Sequence, residues 1–217
     1  MPNGTHDPLA GLRRKLDHAI AELRNAIAYR EAARPAWEDQ RVADRLNYSF
    51  AAKTALDLRA AAEQQMLISL AKLWDKRAEV LNIKRILDEY CRLHSISSVG
   101  GRARIQNASL LKRMRFKAAA DKLCDRAHRH FFSLEKWRHE YLAHRNVMYD
   151  VNKIEREPIH LHDVGCLFRI SAAIVSSLSC RLGMTVEPSF RWLQRADRQN
   201  ADAFWTIIIS SQRGPLE

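Results

Sequence analysis

Residues 109–146 read SLLKRMRFKAAADKLCDRAHRHFFSLEKWRHEYLAHRN, and this stretch governs the interpretation of the whole sequence. Apolar residues recur along it at helical spacing, at Leu110, Met114, Phe116, Leu123 and Ala127. The pattern predicts one long helix, or two helices broken near Ser133. Either arrangement leads directly into the polar segment Trp137–Asn146, which holds two arginines, two histidines, a glutamate and a tyrosine.

The rest of the chain has the composition of a helical protein. Only seven of its 217 residues are glycine and six are proline, and long stretches are rich in Ala, Leu, Arg, Lys and Glu. These residues favour helix, so the predicted fold class is all-α. Further helices are expected at about residues 8–34, 44–76, 82–94 and 163–182. Residues 95–109 read as a turn-rich linker, and residues 201–209 could be a docking helix or a strand-like arm.

Cap residues mark the ends of several predicted helices. Asp7, Asn82 and Asp163 are candidate N-caps, and Gly183 stands where a left-handed C-terminal residue belongs. We divide the chain into an N-terminal helix (1–35), a helical bundle (36–183) and a C-terminal extension (184–217). The length is sufficient for one domain with a sizeable core.

Composition also bears on the compartment. The cysteines lack zinc-ligand spacing and are interpreted as scattered reduced thiols: Cys91, Cys124, Cys166 and Cys180. No uninterrupted apolar run approaches the roughly 18 residues that cross a bilayer. We therefore expect a soluble cytoplasmic protein without a membrane partner.

The charge balance favours a polyanionic partner. The chain has 36 Lys and Arg against 25 Asp and Glu, a formal net charge of +11. Residues 90–120 contain no acidic residue. The candidate RNA-binding residues in this window are Arg102, Arg104, Lys112, Arg113, Arg115 and Lys117. The alternative is a solvated face whose counter-charges come from elsewhere in the fold.

Arg138 and His144 are the candidate catalytic pair. In an unbroken helix, six steps of about 100° separate them by about 120°, so they could flank one groove. A histidine can take the proton of a ribose 2′-hydroxyl or protonate the leaving 5′-oxygen, which contributes roughly 10²–10⁴ in rate. Arginine can bind two phosphate oxygens and stabilise the transition state. The product would carry a 2′,3′-cyclic phosphate. The alternative is a surface or capping pair without catalytic function.

Three neighbours could support this pair. Glu140 could order either residue, although a solvent-exposed or salt-bridged glutamate is the alternative. Arg145 and Asn146 follow the motif directly and could contact phosphate or a facing chain. Because one histidine per chain can perform only the acid or the base step, a C2 homodimer with two facing motifs is expected.

Other histidines and cysteines give only weak metal signals. The pair His160 and His162 with Asp163 could chelate a metal, but a capping Asp163 and turn histidines explain it better. The sequence CDRAHRH lacks a further ligand at matching spacing. No Gly-rich nucleotide-binding loop is present. We expect neither a metal nor a cofactor.

The segment LEKWRHEYLAHRN (134–146) resembles the signature of the HEPN superfamily, in which an Arg is followed by a polar residue and then, a few residues later, by His. Arg138, His139 and His144 match this motif. Together with LISLAKLWDKRAEVLNIKRILDEY (67–90), it resembles in particular the AbiU-like branch associated with abortive infection. The resemblance covers roughly residues 45–180.

The resemblance implies a homodimeric helical bundle in which two Arg–His motifs form one basic cleft and cut RNA without metal. Arg138 would hold the scissile phosphate, His144 would be the acid or base, and His139 would support the site. A toxin of this kind implies an antitoxin protein. Some relatives carry a tyrosine two residues after the histidine that a nucleotidyltransferase modifies, but this position is Asn146. Others bind nucleotides or act as scaffolds, so the alternative is a non-catalytic RNA-, nucleotide- or protein-binding module.

Overall fold

A computed structural model describes residues 8–47, 52–76, 81–96, 103–144, 161–187 and 189–211. These residues form eight helical segments and no strand, which confirms the all-α prediction. At both ends of the longest helix, residues 103–110 and 136–144, only the backbone is described.

The described part of the chain contains eight helices in sequence order. They are α1 (Pro8–Ala33), α2 (Pro35–Glu38), α3 (Gln40–Asn47), α4 (Ala52–Trp74), α5 (Ile83–Ile96), α6 (Ala103–His144), α7 (Leu161–Arg181) and α8 (Phe190–Ser211). Residues 201–209 belong to α8, so the helix alternative was the right one for this segment. The single helix predicted over 44–76 corresponds to α3 and α4, and residues 48–51 between them lie outside the described part.

The chain divides into two compact units. The first comprises Met1–Glu22 and Ala71–Val186, and the second comprises Leu23–Leu70 and Glu187–Glu217. Helices α1 and α4 each contribute residues to both units. The three-part division at residues 35 and 183 stays a prediction.

The core of the first unit is built on α6, which packs against α7 and α5. Its buried positions recur at steps of four and three residues: Ala120, Cys124, Ala127, Phe131 and Leu134. This spacing keeps one helix face against its neighbours, and the small side chains allow close approach. Trp74 is fully buried in the same unit, and its Nε1 donates a 2.9 Å hydrogen bond to Ser171 Oγ. The indole therefore keeps its polar group satisfied inside the core.

Helix α6 is one unbroken helix of 42 residues, about 63 Å long. Of the two alternatives at Ser133, the continuous helix is correct. The linker prediction for residues 95–109 was wrong at both ends, because α5 continues to Ile96 and α6 begins at Ala103. The glycine pair 100–101 precedes this start, and the residues after it favour helix.

Two of the predicted caps are confirmed. Asn82 Oδ1 accepts a 3.2 Å hydrogen bond from the backbone N–H of Arg85 at the start of α5. Gly183 has a φ of 66°, and the N–H of Met184 donates to Ser179 O at 2.8 Å, which completes a Schellman motif after α7. The cap predicted at Asp7 lies outside the described residues.

Asp163 is not the N-cap of α7, so that prediction was wrong. The helix begins two residues earlier, at Leu161, which places Asp163 inside the first turn. Its carboxylate instead contacts His130 on α6.

The second unit has a small core and one buried charge cluster. Ala36, Val42, Ala55 and Trp205 form the core, and Ile208 and Ile209 pack against it. The Glu31 carboxylate is fully buried and accepts hydrogen bonds from four side chains at 2.9–3.1 Å, those of Arg30, Arg34, Gln194 and Arg198. Three guanidinium groups thus compensate one buried carboxylate.

One described helix is long and apolar enough to cross a membrane, by length and composition alone. It covers His162–Arg181, and 56% of this segment is buried inside the protein. A core helix of a soluble protein has the same composition. The buried residues of α7 that pack in the first unit include Leu167, Ile174 and Leu178.

Candidate functional site

The predicted catalytic motif lies at the C-terminal end of α6. The positions of Arg138, His139, Glu140 and His144 belong to its helical backbone, and their side chains are outside the described part. Arg145 and Asn146 lie outside the described residues altogether. Because the helix is unbroken, the positions of Arg138 and His144 differ by about 120° around its axis. The roles assigned to these six residues stay predictions.

The register of α6 relates these two positions to the rest of the helix. Arg138 follows the buried Ala120 by 18 positions, which is five turns of about 3.6 residues. It therefore stands on the line of the buried face. His144 follows the exposed Arg126 by the same 18 positions and stands on the outer line. The two motif positions thus belong to different faces of one helix.

A cluster of polar side chains joins α6 to the first turns of α7. His130 Nδ1 lies 2.8 Å from Asp163 Oδ1, and the rings of His130 and His162 are 6.0 Å apart in an edge-on arrangement. His162 Nε2 lies 3.4 Å from Cys166 Sγ, to which Arg169 Nη2 donates at 3.3 Å. From this level α6 continues for 14 residues to His144, about 21 Å. This cluster is not predictable from the sequence, because nothing in the spacing pairs residues 33 positions apart.

The histidine and cysteine candidates form no metal site within the described ranges. No group of three or more His, Cys, Asp or Glu residues there has a metal-binding arrangement. His160 is outside these ranges. Burial raises the pKa of the Cys124 thiol to about 11, so it is a neutral thiol at physiological pH. His128 beside it packs edge-on against Trp74, with ring centroids 5.8 Å apart.

The predicted RNA-binding residues separate onto different faces of α6. Lys112 and Arg115 are exposed, and Arg113 is half-buried. Lys117 Nζ lies 2.9 Å from both Asp88 and Asp121, and these hydrogen bonds raise its pKa. Acidic residues on α5 and α6 therefore neutralise Lys117, which is the alternative to RNA binding for this residue. Arg104 lies in the backbone-only part of α6, and Arg102 lies outside the described residues.

The exposed face of α6 carries three further cations that the sequence analysis did not single out. Lys122, Arg126 and Arg129 are exposed and follow Arg115 along the same side of the helix. The stretch without acidic residues, 90–120, ends before these three cations, because Asp121 follows it directly in sequence. A helical projection would have found them, since Asp121 points about 100° away from Lys122.

A concave feature lies in the second unit. It is a cavity of about 500 Å³ between α1, α4 and α8, and its lining includes five alanines together with Leu58, Phe204 and Trp205. Asp197 stands at its wall, and burial, followed by the nearby Glu31 charge, raises the pKa of this carboxyl. The lining contains no histidine, cysteine, serine or lysine, and its titratable members are Tyr29, Arg59 and Asp197.

An all-helical domain with an Arg-His motif late on its longest helix has the features of a HEPN domain. Comparison with protein-family models gives a match to HEPN_AbiU2, the AbiU2 family, over residues 7–179. The chain therefore belongs to the AbiU2 family of HEPN domains, which is associated with abortive infection. This match begins at residue 7, whereas the resemblance seen in the sequence covered roughly residues 45–180. Neither a curated protein nor a solved structure matches the chain.

Proposed function

We propose that the protein is a metal-independent endoribonuclease that acts as a toxin in a prokaryotic defence or toxin–antitoxin system. The observation that carries this proposal is the family match, because it spans Arg138, His139 and His144. The continuous helix through these positions supports it further, since it fixes their angular relation without a break. The basic composition of the chain suits a polyanionic substrate.

The chemistry requires only the chain's own residues. His144 accepts the proton of a ribose 2′-hydroxyl as the 2′-oxygen attacks phosphorus, or it protonates the 5′-oxygen as the P–O5′ bond breaks. The products are a 2′,3′-cyclic phosphate and a free 5′-hydroxyl. Arg138 binds the non-bridging oxygens and stabilises the charge of the pentacoordinate transition state. His139, Glu140, Arg145 and Asn146 hold this pair or contact flanking phosphates.

A C2 homodimer supplies both proton-transfer steps. One histidine cannot be acid and base in the same step, whereas two facing motifs provide one of each. An antitoxin protein restrains the dimer in the cell. Because residue 146 is Asn, it acts by a route other than modification of a tyrosine at that position.

The test compares wild type with His144→Ala and Arg138→Ala on total RNA in EDTA, followed by end-group analysis of the fragments. The expected result is 2′,3′-cyclic ends from wild type and at least a hundredfold slower cleavage by either variant. His18→Ala removes an exposed histidine from α1 and should cleave like wild type. If His144→Ala cleaves RNA as fast as wild type does, the proposed assignment of the active site is wrong.

A second outcome distinguishes the alternative function. The non-catalytic module binds RNA, a nucleotide or a protein through the same motif but produces no fragments. Retained RNA binding with no fragments from wild type would support this module and contradict the nuclease. The exposed cations of α6 favour RNA as its ligand.

A further inference from the structure

Five exposed cations line the side of α6 that faces away from the core. We call them the outer stripe: Lys112, Arg115, Lys122, Arg126 and Arg129. Their positions fall within about 100° around the helix axis and extend over about 26 Å. The centre of the buried face of α6, near Ala120 and Phe131, is turned by about 130° from the centre of the stripe.

The charges of the outer stripe are not neutralised within the described part of the chain. Lys117 differs clearly, since it points towards α5 and pairs with Asp88 and Asp121. No ion pair of this kind holds a stripe residue among the described side chains. Asp125 borders the stripe as an exposed carboxylate, so the local excess remains strongly positive. Such a row of unpaired cations is a binding surface for a polyanion.

We propose that the outer stripe binds single-stranded RNA and directs it along α6 towards the motif. The helix register supports the direction, because Arg126 and His144 stand five turns apart on the same line. The choice of RNA as the polyanion rests on the proposed function. The stripe adds a path of four to five phosphate contacts outside the catalytic motif.

An exposed aromatic ring favours a single strand over a duplex. Phe132 is 70% exposed, one turn beyond Arg129, and Met114 is 62% exposed near the other end of the stripe. A phenyl ring in water beside a row of cations is a platform on which an unpaired base can stack. Bases in a duplex are already stacked and cannot use it. Phe132 should therefore contribute to the binding of single strands only.

The test measures binding separately from cleavage. Full-length protein carrying His144→Ala is titrated in EDTA with a fluorescein-labelled 20-nucleotide single-stranded RNA of mixed sequence, and anisotropy is recorded at several salt concentrations. The triple variant Lys122→Gln, Arg126→Gln and Arg129→Gln should reduce the slope of log K against log salt by about 2. A matched triple, Arg14→Gln, Arg191→Gln and Arg195→Gln, removes three exposed cations elsewhere and should leave the slope unchanged.

A second variant tests the preference for single strands. Phe132→Ala should weaken binding of the single strand about tenfold and leave binding of a duplex of the same sequence unchanged. Equal losses on both RNAs would overturn the single-strand assignment. Circular dichroism confirms that each variant is folded, and sedimentation gives its mass. A lower mass for the stripe or Phe132 variant would assign the surface to a second copy of the chain and overturn the proposal.

Failure of the outer stripe and failure of the nuclease give different results. An unchanged salt slope in the stripe variant overturns the stripe, whatever the wild-type protein does to RNA. A reduced slope, combined with no fragments from wild type, supports the stripe and contradicts only the nuclease.

Discussion

His130 Nδ1 lies 2.8 Å from Asp163 Oδ1, and this contact joins the middle of α6 to the first turn of α7. Both side chains are largely shielded, with 18% and 20% of their surface exposed. An acidic residue in a first turn also interacts favourably with the helix dipole. The pair therefore fixes the level at which α7 begins along α6.

We expect Asp163→Ala to lower the free energy of unfolding by about 1–2 kcal/mol. The substitution removes a shielded hydrogen bond and a favourable charge at the start of α7. Urea denaturation followed by circular dichroism measures the change. Asp125→Ala, an exposed carboxylate on α6, should change the value by less than about 0.5 kcal/mol. Equal effects of the two substitutions would show that the contact contributes nothing to stability.

Glu31→Ala should destabilise the protein by about 3 kcal/mol or more. The carboxylate is fully buried, and its loss leaves the guanidinium groups of Arg30, Arg34 and Arg198 without their shared partner. Thermal and urea unfolding measure the loss. Glu38→Ala is the control, because this carboxylate is 56% exposed and pairs with the same Arg34 at 3.2 Å. A Glu31→Ala protein as stable as the Glu38→Ala protein would contradict the importance of the buried cluster.

The four cysteines should differ widely in reactivity. Cys180 is exposed, Cys91 is half-buried with a pKa raised by burial, and Cys124 is buried with a pKa of about 11. At pH 8, only about one Cys124 in a thousand is a thiolate. With a thiol-specific reagent we expect Cys180 to react first and Cys124 only after unfolding. Cys180→Ser should abolish the fastest phase, and a remaining fast phase would contradict this order.

His128 should make the protein less stable in mild acid. Burial, followed by the charge of Lys76, lowers its pKa below the usual 6.5. His128 therefore binds its proton more tightly in the unfolded chain than in the folded protein. The free energy of unfolding should fall as the pH decreases from the pKa of His128 in the unfolded chain to its lower pKa in the folded protein. We expect His128→Gln to lose less free energy of unfolding between pH 7.5 and pH 5 than wild type. His18→Gln, at an exposed position on α1, should follow wild type, and identical pH profiles for all three proteins would refute the role of His128.

Local sequence signals were sufficient for most of the fold. The 3.6-residue period located the long helices, and the short-range chemistry of Asn82 and Gly183 located two helix ends. These features depend on residues within one or two turns. The linker over 95–109 was misjudged because serine and glycine suggest a turn while helix propensity resumes at Ala103.

The features that sequence could not predict depend on residues far apart in the chain. The Asp163 carboxylate contacts the His130 ring at a separation of 33 positions, and Lys117 pairs with Asp88 at a separation of 29. No periodicity encodes either partner. The basic surface was found only in part, since a run without acidic residues is a linear criterion, whereas the outer stripe is defined by angle around a helix.

The continuity of α6 also determines which kinds of sequence change the protein can absorb. Substituting a residue between Leu134 and Arg138 leaves every later position at its original angle, whereas deleting one turns Arg138 and His144 by about 100° relative to the core. Arg138 would then leave the line of Ala120, and His144 would leave the line of Arg126. If the proposed nuclease is correct, the number of residues in this segment is therefore under a stricter constraint than their identity, and insertions or deletions there should abolish RNA cleavage where most exchanges do not.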